Sequence, residues 1–178
     1  MDLTENFVSR QDIFDGRIVT LHVDTVTLPD GNTALREIID HPGGVGILAI
    51  DDDDRVFMVQ QYRYAFARAM WEIPAGKREA GEEPLVTAKR ELQEEVGVTA
   101  ERWLPMGELI PSPGCYAERL YLFMARGLTL GDTHPDADEF LTVSRVPFTE
   151  LSQACLSGEI QDAKTVVAVL KAKALLGR

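Results

Sequence analysis

The sequence predicts an α/β fold in which a mixed β-sheet is flanked by helices and preceded by an N-terminal β-hairpin. Predicted strands outnumber predicted helices, and the helices are not interleaved one per strand as a parallel sheet would require. The 178 residues are 45% hydrophobic, which suffices for one domain with a substantial core. The hairpin region, 1–43, has too few apolar residues to fold alone, so we expect it to pack on residues 44–178 or on another subunit.

The N-terminal hairpin is predicted from two segments that flank a turn. Residues 17–28 are rich in Val, Thr and Leu and partly alternate apolar with polar residues, which is typical of a strand. The sequence Pro-Asp-Gly-Asn at 29–32 strongly favours a turn. Residues 33–41 then form the returning strand.

The remaining elements follow from apolar runs and capping residues. The continuous apolar run at 45–50 indicates a buried strand, and residues 55–63 are predicted to pair back on it across the charged turn at 51–54. A helix is predicted over 84–96, with proline at its first position and Gly97 after its end. The later elements are strands near 103–110, 119–125 and 140–146, a polar loop at 127–138, and helices at 148–156 and 162–176, the second beginning at Asp162, a favourable N-cap.

Charge and cysteine content limit the partners and the compartment. The net charge of −11 argues against nucleic acid and anionic membranes, because both are bound through basic surfaces. An anionic substrate would also be repelled unless metal ions and local arginines reverse the field at its site. Cys115 and Cys155 lack metal-site spacing, and we find neither a signal-peptide pattern nor an apolar run of about 18 residues. We therefore expect a cytoplasmic protein.

The segment 76–98 carries most of the functional signal. It reads Gly-x5-Glu-x7-Arg-Glu-Leu-x-Glu-Glu-x-Gly-Val. On the predicted helix, Glu91, Glu94 and Glu95 are spaced so that they crowd one surface, where like charges repel. A divalent cation would remove that conflict. Six of these residues alone would also fit an ordinary solvated helix face with Arg90 paired to Glu94, but the full pattern is far more specific.

The complete pattern resembles the box of Nudix hydrolases, and every specified position of that box is met. The resemblance implies an α/β/α sandwich and Mg²⁺-dependent cleavage, with Mn²⁺ as the alternative ion, of a nucleoside diphosphate linked to another moiety. The residue chemistry agrees, because Mg²⁺ prefers oxygen ligands and usually bridges carboxylates to substrate phosphates. Bound cations can neutralise a diphosphate and orient an attacking water.

Three further segments resemble the ADP-ribose pyrophosphatases of this family. They are Gln61–Arg63 with Trp71–Gly76, then Ser112–Gly114, whose proline lies sixteen residues beyond Gly97, and finally Gly158–Thr165. With these segments, the resemblance extends over most of the chain. It implies hydrolysis of the nucleotide sugar ADP-ribose to AMP and ribose 5-phosphate.

The resemblance also implies roles for individual residues. The carbonyl of Ala75, with Glu91 and Glu95, should bind the metal, and Glu94 should share a metal or polarise water. Arg90 should orient the glutamates, for which a guanidinium fork is well shaped. Glu82 is more plausibly structural. The residues expected to contact substrate are Arg63, which would clamp a phosphate, and Glu72, Arg36, Glu37, Pro113, Gly114 and Glu118.

Ordinary structural roles remain open for several of these positions. Arg63 could pair with a surface carboxylate, and Trp71 favours a core or interface position over stacking on adenine. Pro113-Gly114 could be a simple turn. Alternating surface charges on a hairpin would produce the same Arg36-Glu37 pair.

The chain departs from the family pattern in the acidic loop 136–140. Alanine stands at 137, where the pattern often has glutamate. Glu139 is the candidate general base, with Asp136 and Asp138 in reserve. Glu94 and Glu95 are alternative bases, and a mobile acidic surface segment is an alternative explanation of the loop.

Two rival functions and one assembly state complete the predictions. The substrate could be GDP-mannose, a dinucleoside polyphosphate, NADH or an oxidised nucleotide instead of ADP-ribose. The chain could also be a non-catalytic domain that senses a nucleotide, although such domains usually lose box carboxylates. Residues 1–43 are predicted to form a homodimer by packing across subunits.

Overall fold

The computed structural model describes residues 1–134 and 140–177, which form two compact units. The first unit comprises Met1–Gly43 and Ile110–Arg119. The second comprises Gly44–Leu109 and the described residues from Leu120 onward.

The first unit is built on a three-stranded antiparallel sheet of order β1-β2-β3. The strands are β1 (Asn6–Asp15), β2 (Thr20–Thr27) and β3 (Thr33–Asp40). The predicted hairpin corresponds to β2 and β3, and β1 is an additional strand that the sequence did not indicate. Its pairing with β2 shifts register twice and all ten of its residues are exposed, so its sequence shows no regular alternation.

The second unit contains two sheets and three α-helices. A four-stranded sheet has the order β7-β4-β9-β8, in which β4 and β9 run parallel and the other pairs are antiparallel. The predicted mixed sheet is therefore confirmed. A three-stranded antiparallel sheet has the order β10-β5-β6. The elements are β4 (Gly44–Ala49), β5 (Arg55–Arg63), β6 (Arg68–Glu72), β7 (Ala75–Lys77), α1 (Pro84–Val96), β8 (Val98–Leu109), β9 (Leu120–Leu130), β10 (Thr142–Pro147), α2 (Phe148–Ser157) and α3 (Ala163–Leu175).

The predicted pairing of β5 on β4 is wrong. The two strands belong to different sheets and share only an isolated bridge between Ile50 and Val56. Both strands are largely buried, so neither shows the alternation that would identify its partner. The tight turn between them, with Asp54 at a φ of 59°, sends the chain from one sheet into the other.

Strand β4 lies at the centre of the second unit and is buried on both faces. Val45, Ile47 and Ala49 pack in one apolar cluster with residues of α1. Leu48 packs in a second cluster with residues of α2 and α3. Alternate side chains of one strand thus face helices on opposite sides, which gives the predicted α/β/α sandwich.

Helix α1 has the predicted boundaries. It begins at Pro84 and ends at Val96, and Gly97 follows with a φ of 64°, the left-handed conformation that favours glycine. A Cβ at Gly97 would come within 2.7 Å of the Gly131 carbonyl oxygen. The helix that carries most of the acidic residues is therefore fixed at both ends by local sequence.

Two further sequence expectations concern membranes and thiols. Within residues 1–134 and 140–177, no helix combines the length and the hydropathy that crossing a bilayer requires. Both cysteines are free thiols, Cys115 exposed and Cys155 buried. Burial raises the pKa of the Cys155 thiol to about 11, so this group is unreactive at neutral pH.

Candidate active site

The candidate site is centred on the acidic face of α1. Residues at helical spacing along this face are buried against the sheet, and two of them are glutamates: Glu91 is 8% exposed and Glu95 is 3% exposed. Burying a carboxylate is costly unless it is paired or binds a cation. A helix that served packing alone would carry apolar residues at these two positions.

Both buried glutamates point at strand β7. The Ala75 N–H donates a hydrogen bond to Glu95 Oε2 at 2.9 Å. The Glu91 carboxylate lies so close to Gly76 that a Cβ built there would be 1.9 Å from the carboxyl carbon. The glycine of the box is therefore required by space, because any side chain at 76 would occupy the position of the Glu91 carboxylate.

Arg90 connects the other carboxylates of the box. Its NH1 group donates to Glu91 Oε1 at 2.8 Å and to Glu94 Oε2 at 2.9 Å. Its Nε and NH2 groups donate to the two oxygens of Glu82 at 3.2 and 3.1 Å. The ordinary i,i+4 pair with Glu94 is thus present, but as one contact of a guanidinium that holds three carboxylates.

This arrangement shifts the acidity of its members. The hydrogen bonds from Arg90 lower the pKa of Glu82 to about 2, assisted by the backbone N–H of Glu79. The same contact raises the pKa of Arg90 above its ordinary value. Glu82 therefore remains ionised at any physiological pH and stabilises the position of Arg90.

The donor set suits a hard divalent cation. Three carboxylates, Glu91, Glu94 and Glu95, and the backbone of Ala75 supply only oxygen ligands, which Mg²⁺ prefers. The Glu91 carboxylate fills the space between Gly76 and α1, which leaves no room for a side chain at 76. Within the described ranges, no three His, Cys, Asp or Glu side chains already converge in the manner of a preformed metal cage. A site of this kind uses few protein ligands and completes its coordination with water and substrate phosphates.

A second charged cluster joins β5, β6 and α3. Arg63 donates to both oxygens of Glu72, at 2.7 and 2.6 Å. Lys164 Nζ donates to Glu72 Oε2 at 2.5 Å and to Asp162 Oδ1 at 2.9 Å. Burial opposes ionisation of Glu72, which is 2% exposed, but Arg63 and Lys164 hold its pKa below the ordinary value. Sequence reasoning missed Lys164, although it lies in the Gly158–Thr165 segment that the resemblance had marked.

Within this cluster the candidate substrate contacts have different exposures. The Arg63 side chain is 39% exposed, so a guanidinium held by a buried carboxylate remains accessible. Glu72 has both oxygens engaged within the protein. Arg63 and Glu72 remain predicted substrate contacts, and in this structure Glu72 orients Arg63.

The other candidate substrate residues belong to the first unit. Arg36 forms a two-pronged ion pair with Glu5, and Glu37 is exposed on β3. Pro113 and Gly114 lie in a turn closed by a hydrogen bond from Tyr116 N to the Ser112 carbonyl oxygen at 3.1 Å. The Glu118 carboxylate lies 3.4 Å from His41 Nδ1. These placements leave their roles as predictions.

The acidic loop of the sequence prediction supplies the candidate general base. Glu139, Asp136 and Asp138 lie outside the residues that the structure describes. The identity of the general base is therefore still the prediction made from sequence.

Comparison with known proteins gives two family matches that together cover most of the chain. Residues 40–169 match the NUDIX domain family. Residues 7–39 match the nucleoside diphosphate sugar hydrolase N-terminal domain. The boundary between the two matches falls close to the division between the two compact units.

Individual relatives match over nearly their full lengths. An ADP-ribose pyrophosphatase of Bacillus subtilis is 40% identical over 94% of this chain and 91% of the relative. A methanol dehydrogenase activator of Bacillus methanolicus is 41% identical over 93% of this chain and 90% of the relative. A crystal structure described as an ADP compounds hydrolase superposes with a TM-score of 0.87 at 20% identity, covering 99% of this chain and 97% of that one. At this identity the last match supports the fold alone.

Proposed function

The chain belongs to the NUDIX domain family, and we propose that it hydrolyses the diphosphate of ADP-ribose to AMP and ribose 5-phosphate. The observation that carries the proposal is the complete set of box carboxylates, two of them buried against β7. The 40% identity to an ADP-ribose pyrophosphatase over nearly the whole chain supports this substrate.

The reaction needs a divalent cation, for which we propose Mg²⁺, with Mn²⁺ able to replace it. When bound, the ion would lower the pKa of a water molecule and neutralise charge on the diphosphate. Glu91, Glu95 and the Ala75 carbonyl would hold it, and Glu94 would share a metal or orient the attacking water. Arg90 keeps these carboxylates oriented through its hydrogen bonds to Glu91 and Glu94.

The remaining residues would handle the substrate and the proton. Arg63, fixed by Glu72, is suited to hold a phosphate because its planar donors match phosphate oxygens. Glu139 is proposed as the group that accepts the proton of the attacking water, with Glu94 and Glu95 as alternatives. Arg36, Glu37, Pro113, Gly114 and Glu118 are proposed to contact the nucleotide sugar.

Steady-state kinetics with several candidate substrates test which one the protein prefers. With Mg²⁺ present, kcat/KM should be highest for ADP-ribose among ADP-ribose, GDP-mannose, diadenosine polyphosphates and NADH, and the products should be AMP and ribose 5-phosphate. A margin of about tenfold is expected if the pocket makes one additional good hydrogen bond to the preferred substrate. A higher kcat/KM for any of the other compounds would show that ADP-ribose is not the preferred substrate, but it would still support diphosphate hydrolysis. Binding without turnover in either Mg²⁺ or Mn²⁺ would indicate a sensing domain.

We also propose that the protein is a homodimer that associates through the N-terminal unit. All ten residues of β1 are exposed, and four of them are large apolar residues: Phe7 (62% exposed), Val8 (54%), Ile13 (50%) and Phe14 (58%). A long exposed edge strand with an apolar surface favours pairing with another chain.

Light scattering tests the dimer. The unsubstituted protein should have a mass near twice 19.7 kDa at micromolar concentration. The double variant Phe7→Glu/Phe14→Glu should be monomeric, because it places charges in the apolar surface of β1. Leu156→Glu, at an equally exposed apolar residue on α2, is the matched control and should remain dimeric. A monomeric unsubstituted protein would contradict the proposal.

The compartment and the excluded partners remain predictions. The two free thiols fit a reducing compartment, and we propose a cytoplasmic location. The net charge of −11 supports the prediction that neither nucleic acid nor an anionic membrane is a partner.

A further inference from the structure

We propose that Thr165, at the start of α3, is a positioning residue for the divalent-cation site. Its hydroxyl would fix the segment 72–75 and thereby the carbonyl of Ala75. The inference rests on the proposed function, because it takes that carbonyl as a metal ligand. Thr165 itself has no part in the chemistry proposed above.

The hydroxyl of Thr165 donates one hydrogen bond and accepts another, so its direction is fixed. Thr165 is completely buried. Its Oγ1–H donates to Asp162 Oδ2 at 2.5 Å, so its lone pairs are available for another donor. That donor is the backbone N–H of Ile73, at 2.9 Å. A helix N-cap requires only the bond from Thr165 N to Asp162, at 3.0 Å, so the contact with Ile73 is additional to capping.

Consecutive residues of the segment are held by three different elements. Ile73 N–H is held by Thr165 on α3. The Pro74 carbonyl accepts from Ile47 N on β4 at 2.8 Å. Ala75 N–H is held by Glu95 on α1. Residues 73–74 connect β6 to β7, which begins at Ala75, so these contacts from α3, β4 and α1 define the path of the backbone into β7.

The charged cluster reinforces the same segment. Glu72, next to Ile73, is bonded to Arg63 and Lys164, and Lys164 is bonded to Asp162. The contacts therefore run from Glu72, the last residue of β6, through the first turn of α3 to Ile73, the residue that follows β6. Two cations and two carboxylates balance in charge, so this network is neutral, and the burial of Glu72 and Lys164 strengthens the bond between them.

The test compares metal affinity among matched variants. Thr165→Val keeps the shape but removes the hydroxyl, and Thr165→Ser keeps the hydroxyl. Ser152→Ala removes another buried hydroxyl, which donates to the Phe148 carbonyl within its own helix, α2. Mn²⁺ dissociation constants would be measured by electron paramagnetic resonance on the intact protein, together with kcat, KM and the thermal unfolding midpoint. Exchange of the Ile73 and Ala75 amide protons would be followed without metal.

We expect Thr165→Val to raise the Mn²⁺ dissociation constant by about 10- to 100-fold, the usual effect of losing a group that orients a metal ligand. Its kcat/KM should fall, and both amide protons should exchange faster. Thr165→Ser should restore the affinity to within about twofold, and Ser152→Ala should lower the unfolding midpoint without changing the affinity. If Thr165→Val does not fold, Thr165→Ala provides the same comparison.

Other outcomes separate this inference from the proposed function. Unchanged Mn²⁺ affinity in Thr165→Val, or an equal loss in Ser152→Ala, would overturn the positioning role while leaving the activity proposal intact. If the unsubstituted protein binds Mn²⁺ but does not hydrolyse ADP-ribose, only the proposed substrate is rejected. The comparison of Mn²⁺ affinities among the variants would still test the positioning role of Thr165. An unsubstituted protein that binds no Mn²⁺ would overturn both the positioning role and the proposed metal site.

Discussion

Glu95→Gln is expected to abolish divalent-cation binding and nearly all hydrolysis while the fold remains intact. Glu95 is 3% exposed and its Oε2 accepts the Ala75 N–H, so it contacts one proposed ligand while serving as another. Glutamine has the same shape and its amide oxygen can still accept that hydrogen bond, but it has no charge to attract a cation. Several kcal/mol of transition-state stabilisation depend on a bound metal, so kcat should fall by about 10³- to 10⁵-fold.

Glu83→Gln supplies the matched control for this substitution. Glu83 occupies the N-cap position of the same helix, but its side chain makes no capping hydrogen bond and is exposed. The same chemical change there should alter kcat/KM by no more than about twofold. Isothermal titration with Mn²⁺ and steady-state rates measure both effects. Normal Mn²⁺ affinity and turnover in Glu95→Gln would show that the acidic face of α1 is not the metal site.

Local sequence predicted the helix of the candidate site because local interactions define it. Pro84 and Gly97 determine the two ends of α1, and helical spacing alone places Glu91 and Glu95 on one face. The N-cap of α3 was predicted for the same reason, and Asp162 does accept a hydrogen bond from Thr165 N.

Features that depend on distant partners could not be predicted in this way. Lys164 is separated by 92 residues from Glu72, and no local pattern relates them. The two buried strands β4 and β5 lack the alternation that would identify their sheets, so sequence proximity suggested a pairing that does not occur. Strand β1 was missed because its pairing shifts register twice and none of its residues is buried.

Gly76→Ala is expected to reduce kcat/KM by about 100-fold, the effect of displacing a catalytic group by about 1 Å. An added Cβ would lie 1.9 Å from the carboxyl carbon of Glu91 and 2.0 and 2.3 Å from its two oxygens. Gly76 has no positive φ, so alanine fits its backbone conformation. The flexible Glu91 carboxylate must move instead. Gly131→Ala is the control, because among the described residues a Cβ there meets only the Gly97 carbonyl oxygen, at an ordinary 3.5 Å.

A double-mutant cycle shows whether Gly76 acts through Glu91. If the only effect of Gly76→Ala is to displace that carboxylate, Gly76→Ala should lower kcat/KM much less in the Glu91→Gln background than in the unsubstituted protein. If the fold-losses in kcat/KM of the two single variants multiply in the double variant, Gly76 contributes independently of Glu91. Measured together with Mn²⁺ affinity, the cycle separates two reasons for a glycine at this position of the box. It tests whether the residue provides space for a metal-binding carboxylate or serves the backbone of β7 itself.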